Sequence, residues 1–437
     1  MDFGIGLALV FLLIGLVMFG APIGVTLILL ALGGTWALRG DLEIAIRLVG
    51  SGALNSIAEY VFSVIPLFVL MGTLVSLSGV GRDTFSVAQW LLQRVQGGLG
   101  VATVAANALF AAVTGVSVAS ASLFSQVAVP PMLRFGYSMR FAVGVVAGSS
   151  ILGMLIPPSI LMIVYGVLAE VSIGRMFLAG VIPGIVMSIA FIVIIVMLAR
   201  LRPQFVYEQA SQAAIEQPSE NARSVVTKLL PITLLIVLVL GGIYGGVFTP
   251  TEAGAAGALG ALAIAGWRRS LDRKSLWGVL VESGHVSVGI LFLLMAASLY
   301  SRMLTMAGVP ALMASWISEL GAGSYGFFLA YVICLLILGM FLDSVSILLI
   351  VTPIAVPIAK GFGIDLVHFG IVSIVAVEIG LLTPPFGLSV FAVQSALGVD
   401  RIRLETIFAG SLPFVATMFV VLWLLIFFPP LSTWLAY

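Results

Sequence analysis

Residues 153–159 have the sequence Gly-Met-Leu-Ile-Pro-Pro-Ser, and residues 380–387 have the sequence Gly-Leu-Leu-Thr-Pro-Pro-Phe-Gly. Both stretches lie within long apolar runs. Two consecutive prolines remove two backbone donors and crowd the preceding turn, and the residue before a proline is pushed toward extended geometry. We therefore predict that Ile156 and Thr383 lie in unwound chain, in the middle of two broken helices.

The two stretches belong to a longer internal repeat. Its first copy contains Ser117-Val118, Pro130, Gly136, Gly153 and Pro157-Pro158, and its second contains Ser344-Val345, Pro357, Gly363, Gly380 and Pro384-Pro385. Every pair is separated by 227 residues. Apolar segments interrupted at corresponding Gly and Pro positions indicate the substrate site of a transporter built from inverted repeats.

Composition places the chain in a membrane. Of 437 residues, 61% are hydrophobic and 8% are charged. A soluble domain needs more charge on its surface. The length suffices for roughly a dozen helical crossings of about 20 residues. With a net charge of +1, no nucleic-acid partner is expected. The single Cys334 excludes a disulfide framework. Because no basic region precedes the first apolar stretch, we expect a membrane helix there rather than a signal peptide.

Two apolar segments are too long for one crossing. Segments 98–133 and 326–358 are predicted to form re-entrant hairpins of two half-length helices, with polar tips at 114–122 and 343–346. A single long tilted helix is the alternative. The remaining apolar segments are 3–20, 22–38, 58–78, 138–170, 176–199, 229–248, 251–266, 284–301, 366–397 and 407–428. Residues 41–57 and 82–96 have the pattern of amphipathic surface helices.

The basic residues predict an orientation. If each hairpin makes no net crossing, 14 of the 19 Lys and Arg residues fall on one side of the membrane. The positive-inside rule makes that side cytoplasmic and places both termini outside, in the periplasm. The two repeats then have opposite orientations. The basic residues expected on the outer side are Arg39, Arg47, Arg175, Arg302 and Lys360.

The hairpin tips carry the next candidates for chemistry. Hydroxyl groups are concentrated at Ser117, Ser120 and Ser122 in the first tip, whereas the second offers Asp343, Ser344 and Ser346. Small polar residues at such spacing also allow close helix packing, and that alternative stays open for the serines. A carboxylate within the membrane is a functional hypothesis by default, which favours a functional role for Asp343.

Four other ionisable residues are weaker candidates. Glu378 lies two residues before Gly380 and is expected to face either the site or an internal partner. Glu252 fits a capping box with Thr249 as the N-cap. His285 and His368 are isolated and have no metal-ligand partner in the sequence. No nucleophile–base constellation is visible, which argues against a membrane-embedded enzyme.

The chain resembles the large membrane subunit of the tripartite ATP-independent periplasmic (TRAP) transporters over nearly its whole length. The motifs that carry the resemblance are Gly-Gly-Ile-Tyr-Gly-Gly-Val-Phe-Thr-Pro-Thr-Glu-Ala (241–253), Gly-Ile-Asp-Leu-Val-His-Phe-Gly-Ile (363–371), Leu-Ile-Pro-Pro-Ser-Ile (155–160) and Gly-Leu-Leu-Thr-Pro-Pro-Phe-Gly-Leu (380–388). The resemblance implies an all-α elevator-type transporter in the bacterial inner membrane, with a scaffold around a mobile transport domain. It also implies sodium-driven import of an organic acid delivered by an extracytoplasmic binding protein, and a separate, small four-helix membrane subunit.

The resemblance also implies site residues by position. One sodium site would combine the first tip with the first break: Ser117, Ser120, Gly153, Ile156, Pro157 and Ser159. The other would combine the second tip with the second break: Asp343, Ser344, Gly380, Thr383 and Gly387. Substrate contacts would come from Ser117, Ser159, Asp343, Ser346, Pro385 and Ser389. The family often has Glu-Pro where this chain has Asp343-Ser344, and Asn at the position of Ser389, so the substrate is left open.

The predicted organisation has five parts: N-terminal scaffold helices (1–57), a first inverted repeat (58–200), a cytoplasmic linker (201–228), central scaffold helices (229–275) and a second inverted repeat (276–437). Two other functions remain open. They are a self-sufficient sodium/carboxylate symporter and an ion channel of related fold. Uptake measured with and without a binding protein separates them from the leading hypothesis.

Overall fold

The computed structural model describes residues 2–208, 221–319, 323–399 and 402–437, and these residues form helices without any strand. The middle of the predicted linker, residues 209–220, lies outside the described residues. The helices of the first half are α1 Asp2–Met18, α2 Ile23–Arg39, α3 Leu42–Ala58, α4 Val64–Leu77, α5 Val80–Leu92, α6 Gly98–Thr114, α7 Ser117–Val127, α8 Val129–Arg134, α9 Met139–Ser150, α10 Leu152–Leu155, α11 Ile160–Leu168, α12 Ile173–Leu201 and α13 Pro203–Val206. Those of the second half are α14 Ala222–Ile236, α15 Gly242–Tyr244, α16 Pro250–Trp267, α17 Arg273–Met306, α18 Val309–Glu319, α19 Gly323–Gly339, α20 Ser344–Gly361, α21 Leu366–Gly380, α22 Leu388–Leu397, α23 Leu404–Phe427 and α24 Pro430–Thr433.

Six helical segments of the described chain are long and apolar enough to cross a membrane, and the pair Met139–Leu155 and Ile160–Leu168, bent by 43°, adds a seventh. That number is lower than the chain length allows, because several apolar segments are divided into helices of 10 to 17 residues. A lipid-facing stripe is visible on α12. Large apolar side chains four residues apart are exposed there, at Ile185, Ile189, Val193 and Met197, as expected where lipid replaces water.

Both long segments are broken in two, so the predicted hairpins are confirmed. In the first hairpin, α6 ends at Thr114, Gly115 adopts a φ of 66°, and α7 begins at Ser117. In the second, α19 ends at Gly339 and α20 begins at Ser344. The helices of each hairpin pack against each other. The first unwound tip is shorter than predicted (115–116 instead of 114–122), and the second has the predicted length but lies earlier (340–343 instead of 343–346). Most of the polar residues therefore form the first turns of α7 and α20 instead of lying in the turns.

The two Pro-Pro sequences interrupt helices as predicted. Ile156 is extended, with φ −84° and ψ 126°, between α10 and α11. Thr383 lies in a longer non-helical stretch, 381–387, between α21 and α22. Both Pro-Pro peptide bonds are cis. Each broken helix is therefore divided into two halves by a non-helical stretch.

The repeats interlock at their second halves. Helix α7 of the first hairpin packs on α22 of the second broken helix, and α20 of the second hairpin packs on α11 of the first broken helix. These two pairs are equivalent under exchange of the repeats. The first residues of α7 and α20, Ser117 and Ser344, stand 227 residues apart. The sequence repeat is therefore a structural repeat.

Around this core lies a second group of packed helices. Helix α4 packs on α16 and α17, and α17 also packs on α2 and α3. The predicted capping box is confirmed at the start of α16, where Thr249 and Glu252 bond each other's backbone N–H groups.

Two elements differ from the sequence prediction. Helix α17 extends over 34 residues instead of the predicted 284–301. Helix α18 was not predicted at all, because Val309–Glu319 is short and lacks a long apolar run. Its place before the second hairpin matches that of α5 before the first.

Candidate transport site

The first hairpin tip packs directly on the first helix break. The backbone N–H of Ile160 donates to the Gly115 carbonyl at 3.3 Å. A Cβ atom on Gly115 would lie 2.6 Å from the Pro158 carbonyl oxygen, and one on Gly153 would lie 2.8 Å from that of Val116. Real Cβ atoms do not approach backbone so closely. Glycine at these positions therefore allows the tip and the break to meet.

The second tip and break meet in the same way. A Cβ atom on Gly339 would lie 2.7 Å from the Cα atom of Gly380, and the reverse substitution gives the same distance. The structure thus places Gly153 and Gly380, both predicted site residues, at the two tip–break contacts.

A buried glutamate lies between the two tips. The Ser344 hydroxyl donates to Oε1 of Glu378 at 2.9 Å. The Ser117 hydroxyl also approaches this carboxyl group, without meeting the geometry of a hydrogen bond. Glu378 is 1% exposed, and no ion pair found among the described residues includes it. One acidic side chain therefore touches the second tip and faces the first.

Several buried polar atoms of this region have no hydrogen-bond partner within the described chain: Oε2 of Glu378 and the hydroxyls of Ser117, Ser120 and Ser389. All four side chains are at most 1% exposed. Buried polar atoms in native proteins are nearly always paired, with water or an ion where no protein group is available. Hydroxyl and carboxylate oxygens suit a hard cation.

Four other predicted residues make hydrogen bonds within their own turns. Ser159 caps α11, donating to the Met154 carbonyl at 2.5 Å. The Thr383 hydroxyl donates to the Ile379 carbonyl at 2.8 Å. Asp343 caps α20 by accepting from the N–H groups of Val345 and Ser346 at 3.1 Å, and it also accepts from the Ser346 hydroxyl. These bonds give Ser159, Thr383, Asp343 and Ser346 a structural role whatever else they bind.

Glu378, a weaker candidate than Asp343 in the sequence analysis, is the more enclosed carboxylate in the structure. Asp343 is exposed at its tip, whereas Glu378 is enclosed. The sequence signal for Glu378 was its place two residues before Gly380 in a nearly uncharged helix. Its contact with both tips depends on the packing of the two repeats, which a single sequence does not display.

The two breaks differ in their access to the surface. Pro157 and Pro158 are buried, whereas Pro384, Pro385 and Phe386 are exposed. A cavity of about 540 Å³ lies between residues 382–385 and the first half of α23. Gly387, which has a φ of 59°, and the buried Ser389 follow directly after it. The second half of the site is therefore the open one.

A second cavity lies where the outer group of helices meets the core. It has a volume of about 500 Å³ and lies between α3 and α17 on one side and α11 and α20 on the other. Its lining includes Glu59, Glu170 and Arg302. In the predicted orientation this cleft opens on the extracytoplasmic side.

Four helices, α7, α11, α20 and α22, begin at the tips and breaks. N-terminal N–H groups favour anions, and unwound carbonyls favour cations. Broken helices and hairpins related by a repeat, inside a multi-pass helical protein, define a secondary transporter of the inverted-repeat class.

The chain belongs to the family described as the tripartite ATP-independent periplasmic transporters, DctM component, whose model matches residues 10–431. It is 36% identical to the C4-dicarboxylate TRAP transporter large permease protein DctM of Pseudomonas aeruginosa, over 86% of both chains. It is 31% identical to the isethionate TRAP transporter permease protein DctMQ of Oleidesulfovibrio alaskensis, over 95% of this chain and 64% of that one. The crystal structure of the Alcanivorax borkumensis YdaH transporter has the same fold, with a TM-score of 0.63 at 15% identity over 94% of this chain and 97% of that chain.

These matches confirm the resemblance drawn from the sequence motifs. The chain is a multi-pass membrane protein and a transporter permease subunit, and the relatives are named as permeases rather than enzymes.

Proposed function

We propose that this chain is the large membrane subunit of a sodium-coupled importer for a small organic acid. The observation that carries the proposal is the group of unpartnered, buried oxygens on Ser117, Ser120, Glu378 and Ser389. They lie where two hairpin tips meet two helix breaks. Sodium is a hard monovalent cation and binds oxygen ligands of this kind, so an inward sodium gradient is the expected energy source.

The proposed sodium sites keep the residues chosen from the sequence. The first uses Ser117, Ser120 and the backbone of residues 153–159. The second uses Asp343, Ser344 and the backbone of residues 380–387. The tip–break contacts support this division, because Gly153 lies against Val116 and Ser117 at the first tip and Gly380 lies against Gly339 directly before the second tip.

An organic anion is the proposed substrate. The two relatives described above are named for C4-dicarboxylates and for isethionate, which are small organic anions. The cavity at Pro385 and the N-terminus of α22, with Ser389 in its first turn, provide an opening and a positive helix end. Ser117, Ser159, Asp343 and Ser346 complete the proposed substrate contacts.

Two protein partners follow from the family. The relative named DctMQ is longer than this chain, which spans 64% of it, and we propose that a separate small four-helix subunit supplies the missing part. A binding protein is proposed to dock on the extracytoplasmic face, near the cleft lined by Glu59, Glu170 and Arg302. The complex is assigned to the bacterial inner membrane, with both termini periplasmic and lipid around α12.

The five-part division made from the sequence is kept in this proposal. The outer group of helices acts as the scaffold, and the hairpins with the broken helices form the mobile transport domain of an elevator. The cavity lined by α3, α11, α17 and α20 supports such a division, since it lies where the two groups of helices meet.

Reconstitution tests this function against the two alternatives. The chain and the small subunit are placed in liposomes, an inward sodium gradient is imposed, and labelled C4-dicarboxylate or isethionate is added with or without the cognate binding protein. We expect concentrative uptake only with both sodium and the binding protein. Robust uptake without the binding protein would identify a self-sufficient symporter, and uptake that never exceeds the external concentration would identify a channel.

A further inference from the structure

Both hairpin tips reach one side chain. Ser344, the first residue of α20, donates its hydroxyl hydrogen to Oε1 of Glu378 at 2.9 Å. Ser117, the first residue of α7, has an unpartnered hydroxyl that faces the same carboxyl group. These two serines occupy equivalent positions in the two repeats, but both lie beside the same glutamate. The repeat symmetry is therefore broken at Glu378.

The position equivalent to Glu378 in the first repeat shows the same asymmetry. It is Ile151, 227 residues earlier, which is buried and apolar. The site therefore contains a single glutamate, from the second repeat, where exact repeat symmetry would give two. Among the described residues of the two tips and breaks, Glu378 carries the fully buried carboxylate, whereas Asp343 is exposed and caps its own helix.

The second carboxylate oxygen has no partner. Glu378 is 1% exposed, and its Oε2 makes no hydrogen bond with the described residues. A buried carboxylate is costly unless it is paired and hydrogen-bonded. Oε2 and the Ser117 hydroxyl are two oxygen ligands that a bound cation would satisfy together.

We propose that Glu378 couples the two halves of the site, so that a cation bound at one tip favours binding at the other. Its Oε1 holds the second tip through Ser344, its Oε2 is unpartnered, and the carboxyl group faces Ser117 of the first tip. A cation at the first tip would be coordinated by Oε2, which would fix the orientation of the carboxyl group. Because Ser344 donates to the same carboxyl group, its position at the second tip would then be fixed as well. This inference rests on the proposed sodium coupling and adds cooperativity to it.

Sodium titrations of uptake test the coupling in the complete transporter with its binding protein. Glu378→Gln keeps a hydrogen-bond acceptor for Ser344 but removes the charge. Ser344→Ala removes the hydroxyl and keeps the charge. Ser125→Ala is the matched control, since this buried serine of α7 bonds only the Ala121 carbonyl of its own helix, at 2.7 Å.

We expect the unaltered protein to show a Hill coefficient for sodium above one. Glu378→Gln should lower that coefficient toward one and raise the half-saturating sodium concentration about tenfold, within the range of couplings between contacting residues. In a double-mutant cycle, the effects of Ser117→Ala and Ser344→Ala on the free energy of sodium binding, taken from the half-saturating concentration, should be non-additive when residue 378 is glutamate. The two effects should be additive in the Glu378→Gln protein. Ser125→Ala should leave both quantities unchanged.

The outcomes distinguish this inference from the sodium coupling itself. Sodium-dependent uptake with an unchanged Hill coefficient in Glu378→Gln would overturn the coupling and leave the proposed function standing. Uptake independent of sodium in the unaltered protein would overturn both. If Glu378→Gln lowers the amount of folded complex, Ser344→Ala supplies the answer, because it breaks the same link without removing a charge. A Hill coefficient unchanged in Ser344→Ala would also contradict the coupling.

Discussion

Ser117 and Ser122 lie on the same helix but in different surroundings. Ser117 is fully buried at the start of α7, beside Glu378, whereas Ser122 is half-buried more than one turn further along. If the buried hydroxyl is a sodium ligand, Ser117→Ala should raise the half-saturating sodium concentration of uptake by about three- to tenfold, the value of one to two net hydrogen bonds. Ser122→Ala should change it less than about twofold. Equal effects of the two substitutions would remove Ser117 from the site.

At this scale the sequence predicted residue types better than roles. The serines at 117 and 344 and the glycines at 153 and 380 were chosen from the repeat, and they lie at the tip–break contacts. Glu378 was placed behind Asp343 because both are single carboxylates in apolar sequence. Only the packing of α20 and α21 shows that Asp343 caps a helix end at the surface while Glu378 lies inside. Sequence spacing alone does not contain that information.

The contact between the second tip and the second break depends on two glycines of neighbouring helices. Gly339 and Gly380 approach so closely that a methyl group on either would overlap the other's backbone. Gly339→Ala should therefore lower stability by about 1–3 kcal/mol, the usual cost of overpacking, and it should lower the melting temperature of the purified protein in detergent.

Gly284→Ala is the control for this experiment. Gly284 lies within α17, and no atom stands within 4 Å of the position its Cβ would take. Alanine there should be neutral or stabilising by up to about 1 kcal/mol, because it favours helix over glycine. A Gly339→Ala protein as stable as the control would show that the tip is free to move away from the break.

The helix breaks were predictable because their causes are local. Two prolines in sequence force an interruption wherever they occur, and the structure interrupts both helices at Ile156 and Thr383. The hairpins were predictable from length, since neither long segment fits one crossing. Helix α18 was not, because an eleven-residue helix with a mixed pattern has no signal of its own. Its counterpart α5 in the first repeat was the available hint.

For the whole molecule, the arrangement of the repeats predicts on which side of the membrane particular residues lie. Hairpin one continues through α8 to Arg134, and hairpin two ends with α20 at Lys360. Leu133, next to Arg134, is the residue 227 positions before Lys360, so the two basic residues occupy nearly the same place in the repeat. Both are exposed. Inverted repeats put them on opposite sides of the membrane, and the bias of the basic residues predicts that Arg134 is the cytoplasmic one.

Single-cysteine labelling tests this orientation. Cys334 is the only native cysteine, so Cys334→Ser provides a background for Arg134→Cys and Lys360→Cys. With a membrane-impermeant maleimide applied to spheroplasts, we expect Lys360→Cys to react and Arg134→Cys to stay unlabelled until detergent is added. Inverted membrane vesicles should give the reverse pattern.

Labelling of both positions from one side would mean that the two repeats have the same orientation in the membrane. The proposed site, which combines two tips from repeats of opposite orientation, would then be wrong. Labelling of Arg134→Cys alone in spheroplasts would keep the inverted repeats but reverse the sidedness derived from the basic residues, because a charge bias fixes only the direction of insertion.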